Sequence, residues 1–167
     1  MPVDQIENIP QGTDVLIDAN IFIHGLGQTS LLCVGFLERC AREELLGVTT
    51  VEVVNEVTHR LMLAEAAHKN YITKATASHL KGKPNAIKAL TDYWTLASRI
   101  FALNVLVLGL EVPRLHRAEQ MRKAQGLLTN DSMILAAVNE YGIACLATHD
   151  GDFDQVPGIV VYKPDDV

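Results

Sequence analysis

The chain has 167 residues, of which 49% are hydrophobic and 20% are charged, a composition that excludes a disordered chain and allows one buried core. Its longest uncharged apolar stretch is about ten residues, short of the roughly 20 that a membrane span needs, so we expect a soluble, cytoplasmic protein. The formal net charge of -6 gives no global electrostatic argument for nucleic acid binding, so any such argument must be local.

The first predicted elements are a strand, a helix and a second strand. Residues 14–18 (DVLID) form a nearly continuous apolar run, which is typical of a strand covered on both faces. A helix is expected at 31–42, with Ser30 as its N-cap. LLGVTT, at 45–50, then predicts a short strand.

A long helix follows this second strand. Thr49 and Glu52 are three residues apart, which predicts a capping box at the start of the helix. The run VEVVNEVTHRLMLAEAA places Val53, Val57 and Leu61 on one stripe. This stripe is expected to face the core.

The middle of the chain, roughly 66–103, is predicted to be helical, as an insertion into or extension of a single domain that spans residues 1–167. Gly82 and Pro84 in HLKGKPN mark a turn between two helices. LNVLVLG, at 103–109, predicts the third strand. The cysteines Cys33, Cys40 and Cys145 have no metal-ligand spacing, and we expect buried free thiols.

The last third of the chain alternates helices and strands. Pro113 is placed to open one helix, and Thr129 or Asn130 to cap another over 131–141, which Gly142 ends. IACLAT and GIVVYK predict a fourth and a fifth strand. Strands that alternate with helices indicate an α/β fold with a parallel sheet and crossover helices.

Carboxylates follow the predicted strand ends. Ligands of open parallel sheets bind beyond the carboxyl ends of the strands, so acidic residues there are candidates for one shared site. Converging carboxylates repel one another and are costly to desolvate without a cation. Mg²⁺, which prefers oxygen ligands, is the natural cation. The candidates are Asp18, Glu56, Asp131 and Asp150, with Asp152 two residues further on.

Each candidate also has a purely structural interpretation. Asp18 could cap the turn after its strand, and Glu56 could form a surface ion pair with Arg60 at i,i+4. Asp131 in a first helical turn meets the helix dipole favourably. Asp150 and its neighbours lie in a glycine-containing turn, where aspartate is common. The joint pattern favours the shared site.

Four motifs together resemble the PIN domain family, and within it the VapC-type toxin ribonucleases. They are VLIDANIFI, VVNEVTHRL, GLLTNDSMILAAVNEYG and LATHDGDF, in that order. The resemblance implies a Mg²⁺- or Mn²⁺-dependent nuclease on a three-layer α/β/α sandwich with a mainly parallel four- to five-stranded sheet. It also implies a toxin that a small antitoxin protein neutralises, and we expect a homodimer.

The resemblance assigns roles to individual residues. Asp18, Glu56, Asp131 and Asp150 become the catalytic, metal-binding quartet, and Asp152 an auxiliary acid at the same metal.

Two polar residues near the quartet are further matches. Thr148 matches a small hydroxyl residue that orients the first aspartate, and Asn20 matches a polar position just after it. Both residue types also cap turns routinely, so a structural role is an equal alternative. His149, beside Asp150, is expected to be non-catalytic, because alternation at the strand end points it away from its neighbour.

RNA that approaches an acidic site on an acidic protein needs a local basic rim. RLHRAEQMRK supplies one candidate, and the lysines of the 81–88 turn supply another. A solvated helix face is the alternative for both. The first candidate comprises Arg114, Arg117, Arg122 and Lys123.

Other functions remain open at this point. The chain could be a PIN-domain nuclease that processes RNA outside a toxin-antitoxin system, or a non-catalytic PIN-like interaction module. A phosphoryl-transfer enzyme of the haloacid dehalogenase type is disfavoured, because Asn20 stands where the DxDx[TV] pattern needs its second acid.

Overall fold

The fold is a six-stranded sheet, flanked by helices, in which every neighbouring pair of strands is parallel. The structure is a computed structural model that describes residues 3–167. The strand order across the sheet is β1-β6-β5-β2-β3-β4. The strands are β1 (Val3–Gln5), β2 (Asp14–Ile17), β3 (Leu46–Thr50), β4 (Leu106–Leu108), β5 (Cys145–Ala147) and β6 (Val160–Lys163).

Helices lie in the connections from β2 to β3, from β3 to β4 and from β4 to β5, whereas the connection from β5 to β6 contains only a short 3-10 turn. Short 3-10 turns occur at Ile6–Asn8, Ser98–Ala102 and Gly151–Phe153. The α/β class and the layered arrangement predicted from the sequence are confirmed. The helices are α1 (Ala19–Leu26), α2 (Leu31–Ala41), α3 (Val51–His68), α4 (Ala77–Leu80), α5 (Pro84–Lys88), α6 (Asp92–Ala97), α7 (Val112–Gln125) and α8 (Thr129–Tyr141).

The predicted strand count of four to five was too low. The additional strand is β1, which has only three residues and pairs with β6 at the edge of the sheet. Its sequence, VDQ, carries no apolar run because the strand is largely exposed. The strand β1 therefore could not be predicted from a hydrophobic pattern in the sequence.

The start of α3 corrects the predicted capping box. Thr50, rather than Thr49, is the N-cap, and its side chain accepts a hydrogen bond from Val53 N. Thr49 Oγ1 instead donates to Ile17 O at 3.0 Å, across to the neighbouring strand β2. Likewise α8 begins at Thr129 without a side-chain cap, so neither of its two predicted caps acts as one.

Helix α1 was not predicted, and it packs closely against α2. A Cβ atom at Gly25 would lie 2.5 Å from the Leu37 side chain and 3.2 Å from Cys33 O, so a larger residue would require Leu37 and the α2 backbone to shift. The predicted cap of α2 is confirmed, because Ser30 accepts from Cys33 N. In the described residues no single helix is long and apolar enough to cross a membrane; α1 and α2 pass by length and composition only as a pair, bent by 101°.

The core lies on both faces of the central strands. Val15, Leu16 and Ile17 of β2 are fully buried. The predicted stripe of α3, Val53, Val57 and Leu61, is buried with them. Strand β2 is therefore covered on both sides. The residues that follow it lie where its carboxyl end reaches the edge of the sheet.

The helical middle of the chain packs on the far end of α3. A second, smaller apolar cluster forms there, and the Glu65 carboxylate accepts hydrogen bonds from Thr91 N at 2.9 Å and Tyr93 N at 2.8 Å. The predicted turn is present, with Gly82 at φ +80°. Glu65 thus fastens the start of α6 to α3. The apolar cluster consists of Leu63, Ala66, Ile72, Leu80 and Leu90.

Candidate functional site

Parallel strands bring their carboxyl ends to one edge, and strand order decides which ends are neighbours. The chain runs from β2 to β3 and β4 on one side, then crosses back to β5 and β6 on the other. The reversal lies beside β2, where a ligand crevice is expected. A cavity of about 510 Å³ lies at this edge. Its lining includes all five predicted acids: Asp18, Glu56, Asp131, Asp150 and Asp152.

Asp18 is held firmly at the end of β2. It is the N-cap of α1 and is only 7% exposed. Its Oδ1 accepts a hydrogen bond from Ala19 N at 2.6 Å, and its Oδ2 accepts from Thr148 Oγ1 at 2.6 Å and Asn20 Nδ2 at 2.7 Å. The capping role and a place in the shared cavity, posed as alternatives from the sequence, are therefore both present.

Thr148 and Asn20 connect the ends of two neighbouring strands. The buried Thr148 hydroxyl donates to Asp18 and accepts from Asp150 N at 3.0 Å and from Asn20 Nδ2 at 3.1 Å. Asn20 Oδ1 accepts from the backbone N of His149 at 2.9 Å. In this network His149 contributes its backbone. Both polar residues singled out from the sequence therefore touch the first aspartate.

Three carboxylates form the tightest group in the cavity. One oxygen each of Asp131, Asp150 and Asp152 lies within 4.8 Å of the others. Asp131 projects from the first turn of α8, and the other two come from the 3-10 turn after β5, where Asp150 Oδ1 accepts from Asp152 N at 2.9 Å. Oxygens this close can share one cation, and a donor set made only of oxygen suits Mg²⁺ or Mn²⁺.

Glu56 lines the cavity from α3. It is positioned by Asn130, which was not predicted to be a site residue. Asn130 Nδ2 donates to Glu56 Oε2 at 3.0 Å. From the sequence, Asn130 was a candidate helix cap, and its position beside Asp131 was the only available signal. Within the described chain Glu56 has no ion pair with Arg60, although both line the cavity. The predicted surface pair is therefore not formed.

The crowding of acids perturbs two of them. Burial raises the pKa of Asp18, against the hydrogen bonds from Thr148 and Ala19, with the charges of Glu56 and Asp150 adding to the rise. Burial, together with the charges of the neighbouring carboxylates, raises the pKa of Asp131 to about 6. Both shifts express the cost of burying a carboxylate among other acids, which a bound cation would offset.

The predicted basic rim requires a correction at Arg114. This arginine is fully buried, where it donates to Glu140 Oε2 at 2.8 Å and to Gly109 O at 2.8 Å. Its guanidinium also lies 5.7 Å from the centre of the Tyr141 ring. Arg114 therefore ties α7 to the end of α8 and cannot present its charge to RNA.

The other three members of the rim remain accessible to different degrees. Arg117 is partly exposed and pairs with Glu140. Arg122, near the end of α7, donates to Ser132 Oγ at 2.9 Å and so lies beside the helix turn that carries Asp131. Lys123 is highly exposed and pairs with Glu119 at i,i+4. Of these three residues, Arg122 is the one hydrogen-bonded to Ser132, the neighbour of Asp131 in the acidic group.

Both the sequence and the fold are similar to those of known proteins. The PIN domain family matches residues 15–159. The fold is similar to that in a crystal structure of VapBC2 from Rickettsia felis bound to a DNA fragment from their promoter, with 14% identity, a TM-score of 0.58, and coverage of 92% of this chain and 100% of that one. A toxin-antitoxin complex from Klebsiella pneumoniae gives 18% identity, a TM-score of 0.50, and coverage of 87% and 95%. No curated protein matches the sequence.

Proposed function

The chain belongs to the PIN domain family, and from this premise we propose that it is a metal-dependent endoribonuclease that hydrolyses RNA phosphodiester bonds as the toxin of a toxin-antitoxin system. Members of this family are generally nucleases. The observation that carries the proposal is the convergence of five carboxylates on one cavity, three of them within 4.8 Å. Such a group is costly without a cation and is placed where parallel sheets bind ligands.

The donor set fits a hard divalent cation. Asp131, Asp150 and Asp152 would hold Mg²⁺ or Mn²⁺ most directly, and Asp18 and Glu56 line the same cavity. Such a cation, when bound, supplies an activated water and neutralises charge on the phosphoryl oxygens. The cavity has room beside the carboxylates for a phosphate group and for water.

Hydrogen bonds within the chain position the carboxylates of the site. Thr148 fixes Asp18 Oδ2 and the Asp150 backbone together, so two of the acids keep their separation. Asn130 orients Glu56 in the same way from α8. Groups held in advance need no reorganisation when the substrate phosphate arrives. The protein accordingly needs no catalytic histidine for this chemistry.

The toxin assignment rests on the structural neighbours. Those solved structures are a VapBC2 assembly and a toxin-antitoxin complex. We extend this to propose a small antitoxin protein as the partner of this chain, and a homodimer as its assembly state. The cytoplasm, where RNA and such a partner meet, is the proposed location.

A matched pair of variants tests the proposed function. Purified wild-type protein should cleave RNA with Mg²⁺ or Mn²⁺, and Asp131→Asn should abolish cleavage. Asp154→Asn is the control, because it removes the same charge from an acid that pairs with Lys163 and does not line the cavity. Equal loss of activity in both variants, or unchanged cleavage by Asp131→Asn, would refute the assignment.

A further inference from the structure

Within the described part of the chain, one cationic side chain lines the acidic cavity. Arg60 lines it together with Glu56, one helical turn earlier on α3. Arg60 is exposed, and within residues 3–167 it has no ion pair and no side-chain hydrogen bond. Its nearest carboxylate along the helix, Glu56, is bonded by Asn130 instead. The guanidinium is therefore available to a ligand.

A second cavity continues from the first along the exposed face of α3. It has a volume of about 450 Å³ and shares Glu56, Arg60 and Asn130 with the acidic cavity. Its other lining residues, Glu52, Asn55 and His59, are polar. Arg60 therefore stands where the two cavities meet, together with Glu56 and Asn130.

We propose that Arg60 anchors the phosphate next to the one that is cleaved, and that the second cavity receives the nucleotide attached to it. This inference rests on the proposed ribonuclease function, since it assigns the neighbouring position of the same substrate. A guanidinium presents a planar fork of donors that matches two phosphate oxygens, and it stays charged at every relevant pH. An RNA chain that crosses the acidic group must place an adjacent phosphate on one side or the other. Among residues 3–167, Arg60 is the cation without an ion pair at the cavity wall.

The lining of the second cavity also indicates how RNA would be held there. Asn55 and His59 are exposed beside Arg60 and can hydrogen-bond ribose and base edges. Of the residues that the structure describes, those lining this cavity include no phenylalanine, tyrosine or tryptophan on which a base could stack. Binding should therefore depend on the phosphate, with sequence preference as a minor effect.

Binding measurements test Arg60 separately from cleavage. A fluorescein-labelled single-stranded oligoribonucleotide is titrated with Asp131→Asn protein, alone and combined with Arg60→Ala, Arg60→Lys or Arg99→Ala, at several salt concentrations. Arg99 is the matched control, because it is also exposed and unpaired in the described chain and lies outside both cavities. Arg60→Ala should weaken binding about tenfold and reduce the salt slope by about 0.7, as expected for one lost phosphate contact on a single strand. Arg60→Lys should retain the slope, and Arg99→Ala should change neither quantity.

A cleavage comparison locates the contact within the substrate. For wild-type protein and Arg60→Ala, KM is measured on the same oligoribonucleotide and on a dinucleoside monophosphate, which has no adjacent phosphate. KM should rise only for the oligoribonucleotide. Equal binding by the Arg60→Ala and Arg99→Ala proteins, or an equal rise in KM for both substrates, would overturn the role of Arg60. A wild-type protein that cleaves neither substrate would refute the proposed function instead, while the binding titration would still decide on Arg60.

Discussion

Thr148 Oγ1 lies 2.6 Å from Asp18 Oδ2 and joins the end of β5 to the end of β2. The two residues directly follow the registered pair Ile17 and Ala147 on adjacent parallel strands. Asp18 N also donates to Ala147 O at 3.0 Å, so backbone and side chain fix the same junction. The position of the first aspartate is therefore set by the sheet itself.

Replacing Thr148 by valine should impair both folding stability and cleavage. The change keeps the shape of the buried side chain but leaves Asp18 with one donor fewer and Asp150 N without its acceptor. We expect a loss of about 1–3 kcal/mol in the free energy of unfolding and of at least about tenfold in kcat/KM. Thr148→Ser, which keeps the hydroxyl, should recover most of the activity. A valine variant as active as the wild type would remove the orienting role.

Neutralising Asp131 should not destabilise the metal-free protein. With EDTA at pH 7, above its raised pKa of about 6, this carboxylate is ionised against its acidic neighbours, and Asp131→Asn removes that repulsion at nearly constant volume. The variant should melt at or above the wild-type Tm. Added Mg²⁺ should stabilise the wild type, by about 2.7 kcal/mol at one hundred times Kd, and the variant far less. Differential scanning calorimetry with and without Mg²⁺ measures both effects, and an equal response to Mg²⁺ would contradict the shared site.

Asp18→Asn should behave differently from Asp131→Asn. Asp18 accepts three hydrogen bonds, and an amide nitrogen in place of one oxygen would face donors such as Thr148 or Ala19. We expect this variant to lose about 1–2 kcal/mol even in EDTA. Urea unfolding of the two variants side by side checks the contrast. An Asp18→Asn protein more stable than wild type would show that its hydrogen bonds matter less than repulsion.

Glu65 should govern part of the acid sensitivity of the fold. Burial raises the pKa of this carboxyl, but the hydrogen bonds from Lys69, Thr91 N and Tyr93 N outweigh it and lower the pKa to about 2. The folded pKa lies below the ordinary value of 4.5, so the contribution is complete above pH 4.5 and is lost as the pH falls toward 2. Glu65→Gln should destabilise the protein at pH 7 and flatten the decline in that window. Glu7→Gln, at an exposed acid whose side chain forms no ion pair in the described chain, is the control in the same pH series.

Variants of Arg114 and Lys123 should distinguish an arginine that is needed for folding from a lysine that can contribute to RNA binding. Arg114→Met leaves Glu140 with Arg117 alone and should cost about 2–4 kcal/mol of stability. Lys123→Ala should change stability by less than about 1 kcal/mol, because its ion pair is exposed. If the rim extends along α7, Lys123→Ala should also lower the salt slope of RNA binding by about 0.7, whereas the folded Arg114→Met protein should keep it. A reduced salt slope of RNA binding in Arg114→Met would contradict the conclusion that the buried Arg114 does not contact RNA.

The positions of Asp18 and Asp150 just beyond strand ends could be predicted from the sequence, and all five predicted acids line one cavity. Asp18 interrupts an apolar run and Asp150 follows another, so the strand ends were visible. That β5 lies beside β2 could not be read from order along the chain, because the crossover from β4 returns across the sheet. The burial of Arg114 could not be predicted from the sequence either, because α7 is polar on most of its surface. Which of its arginines is buried depends on how α7 packs on α8. Asn130 was missed for the same reason, because its partner Glu56 is 74 residues away.

Cleavage of RNA by the wild-type protein, first in excess EDTA and then after Mg²⁺ or Mn²⁺ is restored, tests the central claim most directly. The Asp131→Asn protein from the same preparation procedure controls for contaminating nuclease. We predict no cleavage in EDTA, cleavage on restoring either cation, and none by the variant under any condition. Undiminished cleavage by the wild type in EDTA, with the variant inactive, would contradict a metal-dependent mechanism at this cavity.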